Sequence, residues 1–193
     1  MYKQCKTEQS AARQRELELG LLQAMSGQQY DAISVSDLCG QIGIPRKSFY
    51  RYFSSKEGAL HALLDHSMLE YESFAFNVRT AGERSFASDL ENYFEYWLRQ
   101  KPLLDALERS GLSGVLIERA IRHAVSEVAL PKRFLLREKH SMQEQITMFS
   151  MCGLMSMVVT WHHEGYPEPP AAMAKVATRL LTQPLFSNSD HFY

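Results

Sequence analysis

Residues 34–60, SVSDLCGQIGIPRKSFYRYFSSKEGAL, decide the fold. Ser34 or Ser36 can cap a short helix, its side-chain oxygen accepting from a free backbone N–H. That helix turns Val35, Leu38 and Ile42 inward. Gly43-Ile44-Pro45 makes the turn: Gly43 tolerates a left-handed backbone, Ile44 plugs the core, and Pro45 suits a helix start but not a helix interior. A second short helix runs over 46–53. Its Phe49 and Phe53, four residues apart, share the face toward the core. Arg46, Lys47, Tyr50 and Arg51 then project outward. Ser54 or Ser55 caps a longer helix, with Glu57 in its first turn where the helix dipole favours a carboxylate.

Two short helices across a tight turn, the second basic and aromatic, form a helix-turn-helix. Arg46 and Lys47 can reach guanine O6 and N7 in a major groove. Tyr50 and Tyr52 offer hydroxyls to phosphate, and Tyr50 can also touch a thymine methyl. Lys56 at the start of the next helix, and Ser34 and Ser36 at the start of the earlier one, can hold phosphates beside free backbone N–H groups. Ser48 lies on the same short helix and joins this set. Residues 46–56 hold four basic side chains and no acidic one, whereas residues 1–66 hold eight basic against seven acidic. The basic character is therefore a local patch on a chain of net charge −1.

Outward from this segment, helical spacing continues in both directions. Residues 9–26 read as a helix with Ala12, Leu19, Leu22 and Met25 near one stripe, ended by Gly27. Tyr30 and Ile33 look like staples between that helix and the short one capped by Ser34 or Ser36. The helix beginning near Lys56 continues to about Arg79, with Leu60, Leu63, Leu64, Met68, Tyr71 and Phe74 inward. A polar break is expected at 80–84. Further helices are predicted over 86–100, with Leu90, Tyr93, Phe94, Trp97 and Leu98 inward, from Pro102 to near Gly111, over 113–130, over 141–164 and over 171–183. A charged connector fills 132–140, and Gly165-Tyr166-Pro167-Glu168-Pro169-Pro170 is a loop. No stretch has strand periodicity. The fold class is all-α, with about nine helices: a three-helix head over 1–56 and a helical body over 57–193.

The 193 residues are 45% hydrophobic and 22% charged, an ordinary globular balance. Cys5, Cys39 and Cys152 are scattered and odd in number, which fits a reducing cytoplasm better than a disulfide framework. The uncharged stretch Ile146–Trp161 has 16 residues, short of the ~20 a membrane span needs. No GxSxG, P-loop or strand-led GxGxxG motif is present, so no catalytic residue is assigned and an enzyme is not expected. His61 and Asp65 share a helix face, and His162-His163-Glu164 closes another helix. With no second ligand cluster, neither is assigned a metal, and no cofactor is expected.

Residues 34–60 resemble the TetR/AcrR family of transcriptional regulators. The family's F-Y-x-Y-F and S-K-E elements stand here as Phe49-Tyr50-Arg51-Tyr52-Phe53 and Ser55-Lys56-Glu57, at the family's separation. Ser34-Val35-Ser36-Asp37-Leu38-Cys39 matches its opening, and Gly43-Ile44-Pro45 its turn. Pro45 replaces a small hydroxyl residue that can bond a phosphate, and Cys39 replaces a small alanine. Around Gly153, Trp161 and Gly165-Tyr166-Pro167, the tail loosely resembles the subgroup that includes regulators of dihydroxyacetone metabolism. The resemblance implies a cytoplasmic homodimer that binds a double-stranded operator and releases it when an effector enters the body.

The body carries an aromatic and methionine-rich set, adaptable enough for an apolar or aromatic effector. Tyr93, Trp97 and Phe149 are the contacts expected for it. The small residues Ser150, Gly153 and Ser156 permit close helix approach, so Ser150, Gly153, Met157 and Trp161, with Val176 and Leu180 of the last helix, are expected across the twofold axis. A rival reading keeps the fold but makes the chain a co-regulator that dimerises with a partner and binds DNA weakly or not at all.

Overall fold

The computed structural model describes residues 2–3, 5–79, 85–127 and 140–183. Among these, regular structure is helical apart from one antiparallel bridge between Tyr2 and Phe53. The helices are α1 (Glu8–Gly27), α2 (Val35–Ile42), α3 (Arg46–Tyr52), α4 (Lys56–Arg79), α5 (Phe86–Arg99), α6 (Lys101–Arg109), α7 (Ser113–Glu127), α8 (His140–His163) and α9 (Pro170–Thr182). A 3-10 turn, Tyr30–Ala32, links α1 to α2. The break expected at 80–84, the end expected for the seventh helix near 130 and the connector expected over 132–139 lie outside the described residues.

Local chemistry sets the helix starts. Thr7 caps α1, Ser34 caps α2, and Ser55 caps α4 by accepting from the Gly58 N–H at 3.1 Å. Ser85 and Ser88 form a reciprocal capping box at the start of α5. Pro102 sits in the first turn of α6, where its missing N–H costs nothing.

A continuous apolar cluster runs from the head into the body. Leu17, Leu21 and Met25 of α1 meet Leu38 and Phe49 in the head. Leu60, Leu63 and Leu64 of α4 carry the cluster toward Leu90, Phe94 and Trp97 of α5. α4 packs on both α1 and α7, α7 on α8, and α5 along α9. Trp161 is held at the end of α8, edge-on to Phe94 and Tyr166, its indole N–H donating to the Glu168 carbonyl at 2.9 Å.

The stripe on α1 differs from expectation. Ala12 and Leu19 face outward, Leu19 at 47% exposure, and the buried face is Gln14, Leu17, Glu18, Leu21, Ala24 and Met25. The cause is Glu18, a fully buried carboxylate. It accepts from Arg15 at 3.1 Å and pairs with His66 Nδ1 at 2.7 Å, so a charged residue occupies the core face. In α5 the buried set also includes Tyr96, whose hydroxyl donates to the Ser67 carbonyl at 2.5 Å.

Gly43 closes α2 at φ +72° and ψ +32°, in the left-handed region. Its Cβ position meets open space, so only the backbone opposes a side chain there. Gly43→Ala is expected to cost about 1 kcal/mol. For a chain of this size that lowers the thermal midpoint by roughly 2–4 °C, readable by circular dichroism.

Candidate nucleic-acid interface

The site is built from α2, its turn and α3. Ser34 accepts from the Asp37 N–H at 3.1 Å and donates its hydroxyl to the Asp37 carboxylate at 2.6 Å. After Gly43, the Ile44 N–H returns to the Cys39 carbonyl at 2.9 Å, closing the turn. Pro45 precedes α3 at φ −66° with no side-chain cap, and the Ser48 N–H donates to its carbonyl at 2.8 Å. Phe49 and Phe53 are both buried, ring centroids 5.2 Å apart. They fix the roll of α3 about its axis. That roll leaves Arg46, Lys47, Tyr50 and Arg51 exposed, and their i, i+1, i+4, i+5 spacing puts them on one face. Tyr50 stands edge-on to Phe49 at 5.4 Å, so its ring is braced from behind.

The other residues expected here are placed differently. Ser34 and Ser36 are exposed at the start of α2, while Ser48 and Tyr52 are half-buried. Tyr52 packs beside Phe53, and its carbonyl accepts from the Lys3 N–H at 3.0 Å. The Lys56 ammonium is bonded within the head. It donates to the carbonyls of Tyr30 at 2.6 Å and Ile33 at 2.7 Å, with Asp31 at 3.4 Å, and lies 4.2 Å from the centre of the Tyr30 ring. Its three protons face protein oxygens, and a phosphate contact at Lys56 is left to the backbone. Burial pushes the Tyr30 phenol up to about 12. Cys39 is buried as expected, and burial raises its thiol against the opposing charge of Arg46.

In the body, Tyr93 and Trp97 are buried one turn apart on α5. Among the described residues, the Tyr93 hydroxyl and the Trp97 indole N–H have no hydrogen-bond partner. Burial drives the Tyr93 phenol well above its usual range, and the nearby indole N–H only opposes that rise without completing a bond. Phe149 does not join them: it stands on the outer side of α8, 75% exposed. The residues expected at the twofold axis also divide. Gly153, Val176 and Leu180 are exposed and Met157 is half-buried, but Ser150 and Trp161 point into the protomer's own core. Trp161 is a core residue because Phe94, Tyr166 and the Glu168 carbonyl already enclose it.

Among the described residues, no group of three or more His, Cys, Asp or Glu side chains is arranged to hold a metal ion, and no helix is long and apolar enough to cross a membrane. His61 lies 3.8 Å from Glu57, and Asp65 is bound by Arg119 rather than shared with His61.

Residues 22–63 match the family described as bacterial regulatory proteins, tetR family. No curated protein matches the chain. Among solved structures, the TetR family repressor AlkX from Dietzia sp. strain DQ12-45-1b, implicated in biodegradation of n-alkanes, is similar with a TM-score of 0.57. Its identity is 18%, over 86% of this chain and 93% of that one. The dihydroxyacetone kinase operon activator DhaS has a TM-score of 0.56 at 15% identity, over 88% and 93%. The fatty acid degradation regulator FadR from Bacillus halodurans has 0.55 at 14% identity, over 94% and 98%. At these identities the likeness is one of fold. The match to the tetR family is carried by the head, residues 22–63, the segment that presents the α3 face.

Proposed function

We propose that this chain is a ligand-responsive repressor that binds a palindromic operator as a homodimer in the cytoplasm. The observation that carries the reading is the α3 face: Arg46, Lys47, Tyr50 and Arg51 exposed together over a Phe49–Phe53 anchor. Arg46 and Lys47 read base edges. Tyr50, Arg51, Ser34, Ser36, Ser48 and Tyr52 place the helix against phosphates. Residues 1–56 act as the head and 57–193 as the regulatory body. Two heads about 34–36 Å apart would reach successive major grooves. Gly153, Met157, Val176 and Leu180 supply the contact between protomers.

The buried Tyr93 hydroxyl and Trp97 N–H, set in the aromatic group of Tyr71, Phe74 and Tyr96, call for an effector that is largely apolar or aromatic and bears a hydrogen-bonding oxygen. AlkX is a repressor and DhaS an operon activator, so the fold serves both signs of control. Repression is the outcome the family resemblance implies.

A second reading has two observations in its favour. Pro45 offers no hydroxyl to a phosphate, and the Lys56 ammonium is already bonded within the head. Both suit a co-regulator that binds a partner chain and contacts DNA weakly. Selection from random duplexes, followed by titration across salt concentrations, separates the two. A regulator selects a palindrome and loses affinity steeply as salt rises. Arg46→Ala is expected to lose roughly 1–3 kcal/mol of discrimination at one base pair of each half-site. Recovery of no duplex from the selection would falsify the DNA reading.

A further inference from the structure

Tyr2 and Lys3 reach from the end of the recognition helix to α4. Tyr2 pairs with Phe53 in an antiparallel bridge, and the Lys3 N–H donates to the carbonyl of Tyr52, the last residue of α3. The Cys5 thiol donates to the Gln14 side chain at 2.7 Å, which fastens the same segment to the buried face of α1. From the α3 exit, the Tyr2 side chain reaches α4, where its hydroxyl donates to Asp65 Oδ2 at 2.7 Å. Asp65 is 8% exposed and is gripped by Arg119 of α7, Nε to Oδ1 at 2.8 Å and Nη2 to Oδ2. The Tyr2 ring also lies 6.2 Å from that of His66, the α4 residue that pairs with Glu18 of α1.

We propose that Tyr2, Lys3 and Cys5 form a strap coupling the pose of the recognition helix to α7 of the body through Tyr2, Asp65 and Arg119. Three side chains span the distance from the α3 exit to a body helix, crossing α4 at Asp65 and adding a side-chain path to the covalent one along that helix. The link has two discrete conditions. With Arg119 in place, Asp65 is a charge-paired carboxylate with a second oxygen lobe available to the phenol. A shift of α7 by about 2 Å takes both guanidinium bonds out of range. Asp65 is then a nearly buried charge with one neutral donor, an arrangement too costly to persist. The carboxylate must turn toward water, and the Tyr2 hydroxyl loses its acceptor. The bridge to Phe53 and the bond to Tyr52 are then left to hold the end of α3 by themselves. Burial and the Asp65 carboxylate together hold the Tyr2 phenol in its protonated, donating form. The strap is thus a positioning device, acting on DNA only through α3, and its consequence for operator control rests on the DNA-binding reading.

Amide hydrogen exchange on the full chain tests it, with Tyr2→Phe and Arg119→Gln made singly and together. Tyr2→Phe removes one hydroxyl and keeps the ring. It is expected to speed exchange at Lys3 and Phe53 about tenfold, the loss of one bond to a charged group. Arg119→Gln touches neither the strap nor α3, yet it is expected to speed the same two amides by a similar factor. The double variant should add little to either. The Trp161 amide in α8 should keep its wild-type rate in Tyr2→Phe. Unchanged rates at Lys3 and Phe53 in Arg119→Gln would overturn the strap, as would an equal acceleration at Trp161, which reports general loosening. In the same variants operator affinity should fall several-fold, and exchange effects without that fall would also overturn the proposed role. Failure of the unaltered protein to bind any duplex bears on the DNA reading and leaves the exchange result to judge the strap.

Discussion

Lys56→Met should lower the thermal midpoint by about 6–12 °C, a larger effect than any substitution on the exposed face of α3. Methionine keeps most of the aliphatic stem and removes the ammonium. The group lost is the one that gathers the carbonyls of Tyr30 and Ile33 at 2.6 and 2.7 Å, with Asp31 further off, at the junction between α1 and α2. Hydrogen bonds to a charged donor contribute roughly 1.5–3 kcal/mol each. Tyr30 O retains the Ile33 N–H as a second partner, so the two short bonds do not add in full, and about 3 kcal/mol is a fair total. A chain of this length loses roughly 2–4 °C per kcal/mol, which gives a shift of that size. The cation also covers the Tyr30 ring, and a thioether replaces that attraction only in part. Were Lys56 a phosphate ligand, its loss would leave the midpoint alone and reduce the salt slope of DNA binding by about one. A midpoint within about 2 °C of wild type would show that the ammonium has no part in holding the head.

Lys56 also shows where sequence reading stops. The order of helices, the turn at Gly43 and the inward roll of Phe49 and Phe53 were legible because each depends on residues within one or two turns of one another. Ser34 as a cap is of the same kind. The fate of Lys56 depends on carbonyls 23 to 26 residues earlier, which carry no side-chain signature. Glu18 is of the same kind: its partner His66 is 48 positions away, so nothing local signals that this carboxylate, and not Leu19, faces the core. In α8 the difficulty is different. Met148 and Phe149 face outward while Met151, Leu154 and Met155 face inward, so both sides of the helix are apolar and the pattern has almost no phase. Nothing local could tell that Ser150 and Trp161 turn into the protomer while Gly153 turns out. The Tyr2 strap left no trace at all, since a single tyrosine in a polar stretch becomes informative only when Asp65 and Arg119 are brought to it.

The outward side of α8 yields the other large prediction. Gly153→Glu is expected to leave the protomer folded, convert the dimer to a monomer at micromolar concentration, and weaken binding to a full palindrome by roughly 10²–10⁴-fold. Among the described residues a Cβ at Gly153 meets nothing within 4 Å, and replacing a helical glycine should raise helix stability by about 0.5–1 kcal/mol. Gly153 lies on the side of α8 that exposes Phe149 and Cys152 around it, and Val176 and Leu180 stand exposed on α9. A residue without a side chain lets a second helix approach closely, and a glutamate there would put a charge into an apolar contact with no partner to neutralise it. Once the protomers separate, each head binds its half-site alone, and the effective concentration that joins the two events is lost. Light scattering after size exclusion reads the mass, and duplex titration reads the affinity. Half-site binding should be unchanged, because α3 lies far along the chain from the substitution and shares no contact with it. If Gly153→Glu stays dimeric and keeps its grip on the palindrome, the twofold axis does not cross this face of α8 and the proposed contact is wrong.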